Sequence, residues 1–297
     1  MELLCLFLLC PVQENVSLSF IFCANGGCGS RVQERILEAK KSVDCAFFEL
    51  DLKNVATALE KKQARLILDR GQKGLRPQTP TKLIDGFGYM HNKFCVLDNE
   101  RVLTGSFNPT KSAEDGQDNV LIDIFSPALA AAYRTEFDEL WSGNGRNARN
   151  PRIEGSNLSI RAFFCPEDSC ELHVVNELLS AKRSIHFLAF SFTSEEIADA
   201  LLYSGAEVRG VMERTNAHDK SQYPRMRGFG LDIRKDGNPR MMHHKTFIID
   251  GSIVITGSFN PTESADTRND ENLLIIRSPE VARQFEREFE RVWAEAG

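Results

Sequence analysis

HNKFCVLDNERVLTGSFNPT (residues 91–110) returns 152 positions later as HHKTFIIDGSIVITGSFNPT (residues 243–262). Eleven of the twenty positions are identical, where unrelated stretches of average composition would share about one. The chain therefore repeats itself. The repeating unit is roughly half of the 297 residues, far longer than a solenoid or propeller repeat, so each copy reads as a domain.

The similarity extends outward from the quoted stretch. IFCANGGCGSRVQERILEAKKSVDCAFFEL (21–50) runs parallel to FFCPEDSCELHVVNELLSAKRSIHFLAFSF (163–192), ARLILDR (64–70) to EVRGVME (207–213), and YRTEFDELW (133–141) to FEREFERVW (285–293). Apolar runs alternate with segments of helical period, giving strand, helix, strand, helix, strand, loop, strand, strand, helix in each half. That order predicts an α/β domain on a mostly buried sheet. The expected boundaries are an apolar N-terminal segment over 1–15, domains over 16–147 and 158–297, and a linker rich in Gly, Asn, Arg and Pro over 148–157.

Within the repeat the polar residues keep one spacing: His91, Lys93, Asp98, Gly105, Ser106 and Asn108 in the first copy, His243, Lys245, Asp250, Gly257, Ser258 and Asn260 in the second. The apolar residues between them read as two strands joined at Asp-Asn or Asp-Gly, hence a hairpin. Residues i and i+2 of a strand share a face, so each His lies beside its Lys. His244 then faces the other way and reads as structural. The returning strand ends in a small-residue loop offering a hydroxyl, an amide and free N–H groups, and together these groups can hold an anion.

In these residues the chain resembles the phospholipase D superfamily, whose signature is this His-Lys-Asp motif with a trailing Gly-Ser-x-Asn. Both copies match at every motif position, and the resemblance runs from about residue 16 to the end. It implies two mixed sheets flanked by helices, packed about a pseudo-twofold axis, with one catalytic site made from both motifs. Cleaving a phosphodiester without metal takes a nucleophile on one side of phosphorus and an acid on the leaving oxygen opposite, and imidazole serves either role near neutral pH. The resemblance makes His91 the nucleophile and His243 the acid and base. Lys93, Lys245, Asn108 and Asn260 then surround the non-bridging oxygens. A downstream carboxylate is expected to orient each imidazole: Glu271 in DENLLII and, offset by one residue, Asp118 in QDNVLID. Asp98 and Asp250 complete the motif at the hairpin turns, where hydrogen bonding of the turn is their expected part. Ser106 and Ser258, with Gly105 and Gly257, are expected to shape the loop and contact phosphate. No cofactor or metal is expected at the site.

At 42% hydrophobic and 26% charged residues the composition is that of an ordinary globular protein, and a net charge of −6 argues against a protein that coats nucleic acid indiscriminately. The segment MELLCLFLLCPVQ reads either as a short export signal or as a buried first strand, so both a cytoplasmic and an exported location stay open. Cys23, Cys28, Cys165 and Cys170 occupy equivalent positions as Cys-x4-Cys in each half, and three readings stand: one disulfide per half, zinc, or free thiols. Cys45 and Cys95 fall in apolar strands and read as small buried hydrophobes.

Positive charge gathers ahead of each motif. Residues 61–82 carry seven basic side chains against one acid, and residues 214–235 carry seven, His218 included, against two. A polyanionic strand is the simplest partner for such stretches. The expected activity is thus phosphodiester hydrolysis on nucleic acid, by a monomer that is its own pseudo-dimer, with phospholipid head groups as the alternative substrate. A non-catalytic binding role is disfavoured because both motifs are intact.

Overall fold

The computed structural model describes residues 11–86, 88–143 and 150–297, which leaves most of the N-terminal apolar segment, with Cys5 and Cys10, outside the described residues. The first half runs β1 (Val12–Gln13), β2 (Ser17–Phe22), α1 (Cys28–Glu38), β3 (Val43–Phe47), α2 (Lys53–Lys62), β4 (Arg65–Asp69), β5 (Thr81–Ile84), β6 (Lys93–Leu97), β7 (Arg101–Gly105), α3 (Lys111–Glu114), β8 (Val120–Phe125) and α4 (Pro127–Ser142). The second runs β9 (Arg152–Gly155), β10 (Leu158–Cys165), α5 (Cys170–Ser180), β11 (Ser184–Ala189), α6 (Glu195–Tyr203), β12 (Glu207–Met212), α7 (Tyr223–Gly228), β13 (Asp232–Lys235), β14 (Lys245–Ile249), β15 (Ile253–Gly257), α8 (Glu263–Thr267), β16 (Glu271–Arg277) and α9 (Pro279–Glu295).

Each half builds a mixed sheet. The first is ordered β2-β8-β7-β6-β3-β4-β5 and the second β1-β9-β10-β16-β15-β14-β11-β12-β13. Their shared seven-strand pattern is the expected fold class. Two strands per half go beyond the expectation: an edge strand before each motif (β5, β13) and a central one after it (β8, β16). VLIDIF and ENLLIIR lack the regular alternation of a half-buried strand, and all but the last residue of each is buried. The second half also carries α7, which has no counterpart in the first.

The expected linker is shorter than its composition suggests. Residues 152–155 form β9, which turns back antiparallel onto β10, and β1 pairs parallel with β9 through Val12↔Ile153. Arg-Ile-Glu alternates outward and inward, with Ile153 fully buried, so these residues are sheet rather than connection.

The burial pattern makes layers. Helices α1 and α2 cover the outer face of the first sheet over one apolar cluster, and α5 and α6 cover the second sheet over another. A third cluster lies between the sheets. It takes Phe94, Val102 and Ile122 from the first, Phe164, Ile248 and Leu274 from the second, and Tyr133, Phe137, Phe285 and Phe289 from α4 and α9. Both inner helices start the same way, with Ser126 or Ser278 accepting the N–H of Leu129 or Val281 and proline in the first turn. The apolar interior is thus shared by the two halves, and separating them would expose it to water.

Among the described residues three disulfides close: Cys23–Cys28, Cys165–Cys170 and Cys45–Cys95. The first two join the Cys-x4-Cys pairs, as the disulfide reading of these residues has it. The third corrects the expectation of two isolated small hydrophobes. Cys45 and Cys95 stand directly opposite each other on β3 and β6, 4.1 Å apart at Cα, as a close cross-strand pair does.

Disulfide stabilisation grows with the loop closed. Replacing Cys45 and Cys95 together by Ala, a loop of sequence separation 50, should cost about 4 kcal/mol, and replacing Cys23 and Cys28, separation 5, about 2 kcal/mol. Urea unfolding of the two double variants, with thiol titration of the parent, checks the order.

Candidate active site

The polar residues converge where parallel strands β3, β4, β11 and β12 end and the motif strands β6 and β14 begin. Two backbone bridges join the halves there. The N–H of His91 donates to the Asp270 carbonyl at 3.0 Å and that of Asp270 to Tyr89 at 2.9 Å; symmetrically, His243 N–H donates to Asp118 at 2.8 Å and Asp118 N–H to Met241 at 2.9 Å. Buried carboxylates fix the residue before each histidine, Asp69 accepting the Met90 N–H at 3.0 Å and Glu213 the Met242 N–H at 2.8 Å.

Each imidazole is then held by the other half. His91 Nδ1 lies 2.8 Å from a carboxylate oxygen of Glu271. His243 Nδ1 lies 2.8 Å from Oδ1 of Asn119. Asp118, expected in that place, is elsewhere: its carboxylate takes hydrogen bonds from Arg291 and, at 2.8 Å, from Asn238, and it meets His243 only through the main chain. The reason is register. Along a gapless repeat of 152 positions Glu271 corresponds to Asn119, and on a strand the neighbouring residue points to the opposite face.

The Gly-Ser pair serves this arrangement from behind. Gly105 and Gly257 have φ of 132° and 150°, and a Cβ there would sit 2.2 Å and 2.3 Å from the carbonyl oxygens of Val120 and Asn272, so only glycine lets the strands approach. The serine hydroxyls that follow are wholly buried. Ser106 donates to Asn119 Oδ1 at 3.1 Å and Ser258 to Glu271 at 2.6 Å. These residues position the groups that orient the histidines and do not line the site, contrary to the expected phosphate contact.

Lys93 and Lys245 each donate one ammonium N–H to the carbonyl of the histidine two residues back, Lys245 at 2.8 Å. Their Nζ atoms stand 4.9 Å and 4.7 Å over the rings of Phe48 and Phe190, which also pack on His91 and His243 at 4.8 Å and 4.6 Å. The Oδ1 atoms of Asn108 and Asn260 are buried with no hydrogen-bond partner. Asp98 and Asp250 sit at the far ends of β6 and β14, about 20 Å of strand away from the histidines. There Asp98 accepts the backbone N–H groups of Lys40, Lys41 and Ser42, and Asp250 those of Lys182, Arg183 and Ser184. His244 faces away from Lys245 and meets Glu288 at 3.2 Å. The sequence reading did not single out Phe48, Phe190 or Asn119, although all three sit at matching positions of the repeat.

The chain's relatives agree with this architecture. A family model described as "Cardiolipin synthase, PLD-like domain" matches residues 32–141 and again 174–293. The chain belongs to the phospholipase D superfamily. A protein of Xenopus laevis named mitochondrial cardiolipin hydrolase is 36% identical over 48% of this chain and 71% of its own length, and one of the same name from Chlamydomonas reinhardtii is 34% identical over 38% of this chain and 53% of its own. Each match spans no more than the length of one repeat. The solved phosphatidylserine synthase of Haemophilus influenzae shares the fold over 97% of this chain and 88% of its own, with a TM-score of 0.72 at 14% identity.

Burial sets the electrostatics of this phospholipase D-like site. It brings Lys93 down from 10.5 to about 7, against the pull of Glu271, Glu49 and Asp69, and brings Lys245 well below the usual lysine range, aided by Lys93. His91 is lowered by burial, with Glu271 opposing, and His243 well below its ordinary value by burial and by Lys245, Lys93 and His91. Burial alone would raise Glu271, but His91, Lys93 and Ser258 hold it low. The site thus concentrates cations short of a counter-charge, and an oxyanion would supply one.

A depressed lysine is charged below its folded value and loses that charge as pH rises through it. Sulfate keeps its charge over this range, so calorimetry should show sulfate binding weaken as pH rises through about 7. The same shift means the folded state binds fewer protons than the unfolded state between about 7 and 10.5, so in the absence of added anion the fold is penalised at low pH and relieved as pH rises. Lys93→Met should therefore abolish sulfate binding yet stabilise the fold at pH 6 by about 1–4 kcal/mol, an advantage that urea titration should find shrinking towards pH 10.

Proposed function

We propose that this chain is a phosphodiesterase that cleaves nucleic acid through a phosphohistidine on His91, with no metal ion in the chemistry. The observation that carries the order of events is the unequal partnering of the two imidazoles. A histidine phosphorylated at Nε2 is a cation, and the Glu271 carboxylate at Nδ1 of His91 stabilises that charge directly. Asn119 offers His243 only a neutral acceptor, which fixes its tautomer without stabilising a lasting cation.

The reaction then runs in two balanced steps. Nε2 of His91 attacks phosphorus and forms the P–N bond as the P–O bond to the leaving group breaks, and protonated His243 gives its Nε2 proton to the departing oxygen. Water next attacks the phosphohistidine, its proton passing to His243 as the P–N bond breaks. The incoming phosphate is itself the negative charge that restores protonation to His243. Lys93, Lys245, Asn108 and Asn260 then donate to the non-bridging oxygens, the part a divalent ion otherwise plays.

The nucleic-acid reading rests on the charge around the site. Arg70 and Arg214 directly follow Asp69 and Glu213, the carboxylates that fix the residues before the histidines, and Arg70, Lys73, Arg76, Arg214, Lys220 and Arg240 are exposed. Other basic residues of the two stretches are engaged away from it, Lys62 on Ala39, Lys82 on Trp141 and Arg225 on Asp199. What remains suits a polyanionic strand. A phospholipid substrate is the second reading, favoured by the names of the relatives. Among the described residues no helix is long and apolar enough to cross a membrane.

Labelled single-stranded DNA, double-stranded DNA, RNA and mixed phospholipid vesicles, each with and without EDTA, separate the readings. We expect nucleic acid to be cut equally well in EDTA; cleavage of vesicles alone would transfer the function to lipid, and a strict, reversible need for a divalent ion would remove the proposed mechanism.

The histidines are distinguished by trapping. His243→Asn should lose at least a hundredfold on ordinary substrates, yet still form the phosphohistidine from a nitrophenyl phosphodiester and stall there. Acid-labile phosphate should be found on His91 in that variant and be absent from His91→Asn. Phosphate on His243 in the latter protein would reverse the assignment.

A further inference from the structure

Tyr89, two residues ahead of His91, is 55% exposed at the edge of the site. Its ring meets Phe48 edge to face at 5.6 Å, and Phe48 in turn meets His91 at 4.8 Å, so an aromatic path leads from the imidazole to solvent in two ring-to-ring steps. The Tyr89 backbone is pinned. Its N–H donates to Asn269 Oδ1 at 3.1 Å, its carbonyl accepts from Asp270 at 2.9 Å, and at the preceding residue, Gly88, a Cβ would lie 1.9 Å from the Arg268 carbonyl oxygen. An exposed aromatic on so fixed a backbone loses little freedom when something stacks on it.

The second half has no equivalent. The corresponding residue is Met241, whose carbonyl makes the matching bridge to Asp118, so beyond Phe190 no second ring continues outward. The aromatic path therefore marks one side of the site only, that of His91. Close by in the chain Asp85 pairs with the exposed Arg70 at 3.2 Å, and Arg70 follows the carboxylate that accepts the Met90 N–H. Among the described residues Tyr89 is the one exposed ring beside this ion pair, and a lone ring does not make the contiguous apolar patch that an interfacial helix or loop presents to lipid. It is the combination by which single-stranded nucleic acid is held, bases on aromatic faces and backbone along cations.

We propose that Tyr89, backed by Phe48, is a nucleobase subsite on the His91 side of the scissile phosphate. This rests on the nucleic-acid reading above and adds to it a stacking contact, blind to base identity, with the nucleotide nearest His91.

The test uses the full chain and single-stranded oligonucleotides of one known cleavage position. Tyr89→Ala should raise KM about tenfold or more, with Tyr89→Trp restoring it and the melting temperature of both variants unchanged. An oligonucleotide with an abasic residue beside the cut should show the same rise in KM with the parent protein and no further rise with Tyr89→Ala. An unchanged KM in Tyr89→Ala, or a full additional penalty from the abasic residue, would overturn the subsite while leaving the nuclease reading in place. A parent protein that cleaves vesicles and no oligonucleotide would overturn both.

Discussion

Four backbone hydrogen bonds across the pseudo-twofold axis decide what this molecule can be. They tie the residue preceding each motif histidine to the residue preceding its orienting partner, so that Asp270 is locked beside Met90 and Asp118 beside Met242. Because strand residues alternate faces, fixing residue 270 also aims Glu271 at His91, and fixing 118 aims Asn119 at His243. Neither half contains a complete oriented histidine of its own. The duplication is thus not two sites side by side but one site whose parts are exchanged.

Such a site is expensive to hold. Two ammonium groups, two imidazoles and a carboxylate lie buried together, and a buried charge is tolerated only where structure forbids its escape. The apolar layer of α4, α9 and the two inner sheet faces supplies that rigidity. Polar contacts within the same interface add to it. Asn272 Nδ2 donates to Asn92 at 2.8 Å, Thr104 donates to Asn272 at 2.7 Å, and Arg291 on α9 joins Asp118 of the first half to Glu288 of the second.

The fold was legible because the repeat doubles every signal. A His-x-Lys alone carries little; the same spacing twice, with matching helices and strands, fixes the α/β architecture and both motifs. What escaped reading had physical causes. VLIDIF and NLLIIR lack the alternation that marks a half-buried strand, and RIEG was masked by a composition that reads as connection. Cys45 and Cys95 could be paired only once the register of β3 against β6 was known. Asn119 was missed because chemistry favours a carboxylate there, and Asp118 stood next door; strict register, not residue type, was the better guide. The loop serines look like anion ligands in sequence, and only the close packing behind the glycines shows them turned inward.

The small strand β1 has a consequence for how the chain is made. Val12 and Gln13 lie on the sheet of the second half, against β9, and the next residue, Glu14, reaches the other way to meet Ser126 and the Ala128 N–H at the start of α4. On a ribosome adding about 5–20 residues per second, the partner of Val12, Ile153, is synthesised about 7–30 s later. Until then Val12 and Gln13 have no strand partner, although Glu14 can meet Ser126 and Ala128 as soon as α4 is made. The earliest strand among the described residues is therefore paired by one that is made only after the whole of the first half.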